Sequence, residues 1–364
     1  MKRKGVEDGE SIMGDISKEL VEKVVTAREE GRALNIVGGG SKSFFGRTAE
    51  GEPLEVAGHS GIISYNPIEL VITARCGTTM EEIKQALAEH GQVCPFESPV
   101  FAGRATLGGT LACNFSGPAR PCLGSIRDAV LGTRLINGKG EEMKFGGQVM
   151  KNVAGYDVSR LQAGALGTLG VITEISMKVL PIPAATATVA MEMDVAESIG
   201  LMNRVAGQPA PLSGSAWVDG KLYLRFEGAA SAVEGAVKKF GGEVMEESSA
   251  FWEGVTEQTL DFFQGDAPLW RLSVKSNAPH IDAGGSWLVD WGGAQRWLRG
   301  DFDKAELERQ ASEAGGHLSL FRYGDRSGEV FHTASSVQQR LQKNLKAAFD
   351  PDRILNPGRL YSWL

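Results

Sequence analysis

The sequence predicts an α+β protein in two parts, and three observations carry that expectation. At 364 residues the chain is too long for one ordinary hydrophobic core and suggests about two domains. Its 47 glycines, against a usual share of ~7%, cluster around 38–40, 108–109 and 164–170, beside strand-like runs. Past the two prolines of "PIPAA" (181–185) the texture changes to strands and amphipathic helices in turn. That order reads as an antiparallel sheet with helices on one face, in split β-α-β style.

Taken in chain order, "ISKELVEKVVTAREE" (16–30) predicts a helix whose apolar face is Leu20, Val21, Val24 and Val25, with Gly31 as its stop. Strand "LNIV" and the glycine run follow. The β-branched run "ELVITARC" (69–76) predicts a strand, and "TTMEEIKQALAEHG" a helix with Thr79 and Glu82 as a capping box and Gly91 as its end. Between 105 and 180 the helical signal thins, and "DAVLGTRLIN" (128–137) and "GVITEISMKVL" (170–180) read as strands. In the second part, "TATVAMEMD" reads as a strand, "VAESIGLMNRVAG" as a helix, and "SGSAWVDGKLYLRFEG" as a hairpin turned at Asp219-Gly220. The helix "AASAVEGAVKKFGG" and the strands "APLWRLSVK" and "SWLVDW" come next. "DKAELERQASEAGG" is helical, with Asp303 and Glu306 placed as a box, and "HLSLFRY" is a strand. The last helix, "SVQQRLQKNLKAAFD", is expected to open at Ser336 and Gln339 with Leu341, Leu345 and Phe349 on one side. Trp252, Phe262, Phe263 and Trp270, around "DFFQGDAPLW", read as an exposed apolar patch.

The bulk numbers remove several classes. A net charge of −7 argues against a broad nucleic-acid footprint. Cys76, Cys94, Cys113 and Cys122 contain no C-x-x-C pair, and no histidines interleave at ligand spacing, so no metal site is expected. The basic start "MKRKGVEDGESIMGD" has no apolar core behind it, and no window approaches a membrane span of ~18 residues. The expected location is the cytoplasm, with any contact to the inner face of the membrane made through partners.

The loop "LNIVGGGSKSFFGR" (34–47) is the sharpest local signal. A dinucleotide fingerprint needs G-x-G-x-x-G opening a helix, and a P-loop needs Lys and Ser/Thr straight after its last glycine. Neither pattern is present. What remains is either an ordinary loop or a nest of backbone N–H groups that holds an anion, with Lys42 adding charge. The segments around "ATLGGTLACNFSG" and "KNVAGYDVSRLQAGALGTLGVITE" favour the nest. Their small side chains could not build a core alone but could wrap a large flat ligand.

From the glycine loop to Pro181 the motifs "ATLGGTLACNFSG", "SIRDAVLG", "AGYDVSRL" and "GALGTLGVITE" resemble, in order, the flavin domain of the vanillyl-alcohol-oxidase or PCMH type, and "RILNPGRLY" is similar to that family's closing motif. More narrowly, "GQVMKNVAGYDVSRLQAGALGTLGVITE", "LKAAFDP" and "LNPGRLY" resemble the FAD-binding subunits of bacterial glycolate oxidases. The resemblance implies a PCMH-type two-part FAD-binding domain at 1–183, a ferredoxin-like antiparallel sheet-and-helix cap at 184–330, and a C-terminal helix and tail at 331–364 returning to the flavin. It implies that Gly38, Gly39, Gly40, Ser41 and Lys42 hold the FAD pyrophosphate. Pro99, Ala105, Thr106, Gly108 and Gly109 would line the isoalloxazine and ribityl chain, with Ser116, Gly117, Ser125, Arg127 and Asp128 continuing that lining. Gly164, Thr168, Leu169, Gly170 and Val171 would lie by the adenine, with Ile172 beside Val171. Asn356, with Pro357 and Gly358, would return to the flavin from the tail. Tyr156 and Asp157 are expected to lock a turn nearby.

Two departures refine the expectation. Covalent members of the family carry His in the glycine loop, whereas Ser41 stands here and implies non-covalent FAD. The loop "GALGTLG" lacks the carboxylate of "GSEGTLG", and no H-x-H supports the histidine–carboxylate metal site of related dehydrogenases. Oxidising a 2-hydroxy acid needs a cation for the carboxylate and a base for the hydroxyl proton. The weak candidates are Arg271, His317 and Arg322; His332 ranks below them. Strand alternation puts His317, Ser319 and Phe321 on one face and Arg322 on the other. The expected function is therefore the FAD-binding subunit of a glycolate oxidase complex, beside a larger flavoprotein subunit and an iron–sulfur subunit. The alternatives are a non-catalytic assembly subunit and a free-standing FAD-dependent oxidase.

Overall fold

The computed structural model describes residues 14–147 and 157–364. Gly155 and Tyr156, with most of "GQVMKNVAGYD", lie outside the described residues. The first half begins with helix α1 (Ser17–Glu29) and strands β1 (Leu34–Val37), β2 (Glu52–Glu55), β3 (Ile62–Asn66) and β4 (Val71–Arg75). Helix α2 (Met80–Ala88), strand β5 (Gln92–Val93) and the short helices α3 (Leu107–Cys113), α4 (Arg120–Leu123) and α5 (Ile126–Ala129) follow. It closes with β6 (Val130–Ile136), β7 (Glu142–Gly146), α6 (Val158–Leu161), β8 (Val171–Lys178) and β9 (Leu180–Pro181). Thr79 caps α2 by accepting from the Glu82 amide at 3.1 Å, and Gly31 and Gly91 end α1 and α2 at φ +65° and +63°. Residues 128 and 129, expected to open the following strand, instead close a helical turn at Ile126–Ala129, because Ser125 and Asp128 form a capping box.

Strands β3, β4, β8, β6 and β7 lie side by side in that order as one antiparallel sheet. Leu20 and Val24 of α1, Ile83 and Leu87 of α2, and Leu107 and Leu111 of α3 pack with Ile175 and Met177 into its core. β8 is buried along almost its whole length, as a central strand covered on both faces must be. β1 pairs in parallel with β2, and its other edge receives Leu355 from the far end of the chain.

The second half runs β10 (Ala185–Glu192), α7 (Val195–Ala206), β11 (Leu212–Val218), β12 (Lys221–Gly228), α8 (Ala230–Phe240) and β13 (Glu243–Val244). Then come α9 (Ser249–Glu257), β14 (Leu269–Ser273), β15 (Ser286–Asp290), β16 (Gln295–Arg299), α10 (Lys304–Glu313) and β17 (His317–Arg322). They form one eight-stranded sheet in the order β13-β10-β12-β11-β15-β16-β14-β17. Numbered within each set of four strands, both halves follow the ferredoxin-like order 4-1-3-2, and they join edge to edge at β11 and β15, where Trp217 faces Val289. The expected single split β-α-β unit is thus doubled, the second copy lacking a helix between β14 and β15.

Side-chain alternation gives this sheet two distinct faces. Leu222, Leu224 and Phe226 point to α7 and α8, and Trp270 and Leu272 to α10. The opposite face presents Leu269, Leu288, Trp297 and Phe321 to Phe45, Phe115 and Leu166 of the first half. Helices are not confined to one face: Trp252 of α9 lies over Arg225 and donates to Thr188 at 2.9 Å. Trp252, Phe262, Phe263 and Trp270 are consequently 4, 7, 2 and 5% exposed, so the expected apolar patch is interior.

Helix α11 (Ser336–Phe349) departs from its expected face. Ser335 and Gln338, one residue earlier than expected, form its capping box. Leu341 is 55% exposed, while Lys346 is fully buried.

Candidate cofactor site

The glycine run leaves β1 and turns without entering a helix, and its glycines answer to different constraints. A Cβ on Gly39 would stand 1.7 Å from the Arg104 carbonyl oxygen, and one on Gly38 would meet Thr106 Oγ1 at 2.8 Å. These two let the loop press against the 104–106 segment. Gly40 takes φ +69° with nothing near its missing side chain. No acceptor among the described residues takes the amides of Gly38 to Lys42. They line a cavity of about 360 Å³ with Thr106, Gly108, Gly109, Gly170 and Asn356. Gly108 lies against Cys76, to whose carbonyl its amide donates at 2.8 Å.

Asn356 fastens three segments around this cavity. Its Oδ1 accepts from the Ile36 amide at 2.7 Å, and its Nδ2 donates to the Leu166 carbonyl at 2.6 Å. It is held at φ +42° by the tail, whose Ile354 carbonyl and Asn356 amide bond to Leu34. Below it, Lys346 Nζ donates to Asp350 Oδ2, the Thr168 carbonyl and the Leu355 carbonyl, at 2.7, 2.8 and 2.6 Å. Both side chains are fully buried, and Asp350 also accepts from the Ile354 and Leu355 amides. Thr168 and Leu169 thus brace the wall from behind it. This pair was missed in sequence; an i,i+4 Lys–Asp couple on a helix otherwise read as an apolar stripe was its only trace.

A second cavity of about 830 Å³ adjoins the first, with Cys113 lining both. Asn114 and Gly164 form one wall, and Arg271, His317, Ser319 and His332 the other. Arg271 sits opposite Ser319 across the β14–β17 ladder, and His317 opposite Ser273, so Arg271, Ser319 and His317 share a face. Arg271 forms no ion pair among the described residues; its guanidinium lies 5.7 and 5.4 Å from the centres of the Phe45 and Phe321 rings. Burial, with Arg120 nearby, pushes it down to about 10. Partial desolvation and the positive charge of Arg271 shift His317 below its ordinary 6.5, although it stands exposed at the start of β17. Arg322 is not a lining residue. A bulge in the ladder breaks the expected alternation, and it stacks at 4.3 Å on Phe44 and 5.2 Å on Phe101.

The remaining expected residues are distributed as follows. Pro99, Ser116 and Gly117 line a chamber of about 10 Å³ with Arg271 and Asp290. Burial raises the Asp290 carboxyl well above the ordinary 3.8, and its Oδ1 has no partner. Ala105 and Val171 are core residues. Ser125 and Asp128 serve the α5 cap, and Arg127 follows them outside all three linings. Asp157 caps α6 by accepting from the Arg160 amide at 3.0 Å. Among the described residues no group of three potential ligands could hold a metal, and no helix is long and apolar enough to cross a membrane.

The donor set fits FAD. Unbonded amides at the glycine turn suit a diphosphate, and Lys42, 7% exposed, has no carboxylate within ion-pair distance. The two contiguous cavities offer room for an extended, flat cofactor. Comparison with known proteins agrees. The family described as "FAD binding domain" matches residues 16–146. The glycolate oxidase subunit GlcE of Escherichia coli is 45% identical over 350 residues, covering 96% of this chain and 99% of that one. A D-lactate dehydrogenase of Archaeoglobus fulgidus is 25% identical, covering 78% of this chain and 75% of that one. Alkyldihydroxyacetonephosphate synthase shares the fold, with a TM-score of 0.64 at 15% identity over 93% of this chain and 74% of that one. The glycine turn, its FAD-binding family and an alignment spanning nearly all of both chains make this protein a member of the family of the glycolate oxidase subunit GlcE, within the FAD-dependent oxidoreductases.

Proposed function

We propose that this chain is the FAD-carrying subunit of a glycolate oxidase complex, oxidising glycolate to glyoxylate and passing the electrons to an iron–sulfur partner. The observation that carries this reading is Arg271, a half-buried guanidinium without an ion-pair partner among the described residues, facing the cavity that adjoins the glycine turn. Such a cation suits a small carboxylate. His317 on the same face would take the hydroxyl proton, and Ser319 between them would orient the hydroxyl. Bound FAD supplies the acceptor for the hydride leaving the hydroxyl-bearing carbon. Gly38 to Lys42 would hold its diphosphate.

A second reading draws on the aromatic packing. Phe44, Phe45, Phe101, Phe115, Phe321 and Phe331 fill the space between the glycine loop and the sheet. That wall suits a flavin that relays electrons while a partner flavoprotein meets the substrate. The test is anaerobic titration of the purified FAD-loaded chain with glycolate. Bleaching of the flavin, lost or weakened roughly 100-fold in Arg271→Met, is the expected result. A flavin that stays oxidised without partners would give the oxidation to another subunit.

A further inference from the structure

Three arginines from distant parts of the chain meet at the glycine-turn cavity. Arg47 follows the glycine loop, Arg326 lies on the segment leaving β17, and Arg359 is in the tail; all three line the cavity. Each is fixed by backbone carbonyls. Arg47 donates to Gly358 and Gly328, Arg326 to Gly46 and Phe321, and Arg359 to Arg47 and Ser43. None forms an ion pair among the described residues, and no carboxylate is among the lining residues. The positive charges of Arg359 and Arg322, added to burial, push Arg326 down to about 10. Lys42 adds another cation, on which Glu257 acts from a distance, as Asp325 does on Arg47. In a chain of net charge −7, this local excess of positive charge is anchored, and a bound dianion would relieve it.

We propose that Arg47, Arg326 and Arg359 form a clamp on the diphosphate of FAD, and that the dianion draws the tail and the β17 exit segment onto the glycine loop. Bound FAD would then hold the three segments together, since the clamp is complete only when all three are in place. The inference rests on FAD occupying this cavity and does not require that this chain oxidise glycolate.

The test uses the full-length chain stripped of flavin. Affinities for FAD, FMN and riboflavin are measured by flavin fluorescence at low and high salt, with hydrogen exchange over residues 326–364. Arg326→Gln and Arg359→Gln are each expected to weaken FAD at least about tenfold, to flatten its salt dependence, and to leave riboflavin, which has no phosphate, unchanged. Arg359→Lys should retain most of the FAD affinity because it keeps the charge while losing the fork to the carbonyls. FAD should slow exchange in the tail of the wild type and much less in Arg359→Gln. Inorganic pyrophosphate should raise the melting temperature of the stripped wild type. FAD and riboflavin weakening by one common factor would mean that the arginines only hold the tail, and would overturn the clamp. Unchanged FAD affinity in both glutamine variants would also overturn it, and so would a wild type that binds no FAD. A flavin that binds as expected yet stays oxidised with glycolate would count against the proposed oxidation alone.

Discussion

Asp290 carries a carboxyl with little reason to ionise: it is 1% exposed, Oδ2 accepts from Gln295 at 3.1 Å, and burial and the negative charge of Glu97 favour its protonated form. In the unfolded chain the same group ionises near its ordinary 3.8. The folded state therefore holds a proton that the unfolded state has released, and stability falls as pH rises through the window above 3.8. Asp290→Asn is expected to raise the melting temperature at pH 8 by roughly 2–4 °C and to change it little at pH 4, as read by paired thermal melts. Equal shifts at both pH values would refute the protonated assignment. Nothing in "SWLVDW" signals this, because a strand-end aspartate reads as solvated until the facing layer is known. The placement of Arg271 and His317 on second-half strands was legible, and the run of three glycines was legible as a turn. Which glycine meets which backbone was not, since Gly39 depends on Arg104, 65 residues away.

At the level of elements, α11 shows where pattern reading fails. Three apolar residues at helical spacing promised a core face, yet the helix turns Lys346 inward, where a carboxylate and two carbonyls take its three protons. Lys346→Met is expected to cost about 3–5 kcal/mol, because it strands the buried Asp350 charge; urea denaturation measures it, and a cost below about 1 kcal/mol would show that the pair is not what seats the helix. Helix α1, by contrast, was legible almost to the residue, because its interior face is plainly apolar. Its entry is held by His59, whose Nδ1 accepts from the Ile16 amide at 3.1 Å and whose imidazole burial keeps below the ordinary 6.5. Protonation would remove that acceptor. The contribution is complete above 6.5 and is lost as pH falls through the lower folded value, so exchange protection over 17–29, after correction for the intrinsic pH dependence of amide exchange, should fall in that acidic window and stay flat above it.

Across the whole molecule, the two sheets are joined by a few polar contacts around an aromatic filling. Glu257 of α9 accepts from the Val100 and Phe101 amides at 2.8 and 2.7 Å, Arg225 pairs with Glu97 at 2.6 Å, and Trp291 donates to the Gly117 carbonyl at 2.8 Å. Glu257 steadies a loop in which Phe101 and Ala102 are both left-handed, at φ 44° and 61°. Glu257→Ala should destabilise the protein by about 1.5–3 kcal/mol and broaden its calorimetric transition as the sheets uncouple; a single unshifted transition would refute that role. The α+β class and the change of texture near 181–185 were readable from periodicity. The doubling of the ferredoxin-like unit was not, because its second copy replaces one helix with irregular chain and so hides the repeat. One further consequence concerns synthesis. The hydrogen bond from Ile36 to Asn356 spans 320 residues, so a growing chain makes the floor of the cofactor cavity long before the segment that finishes it. Until then the free edge of β1 is open to other partners. Flavin retention by this protein would thus report on chains whose tail has correctly returned to β1.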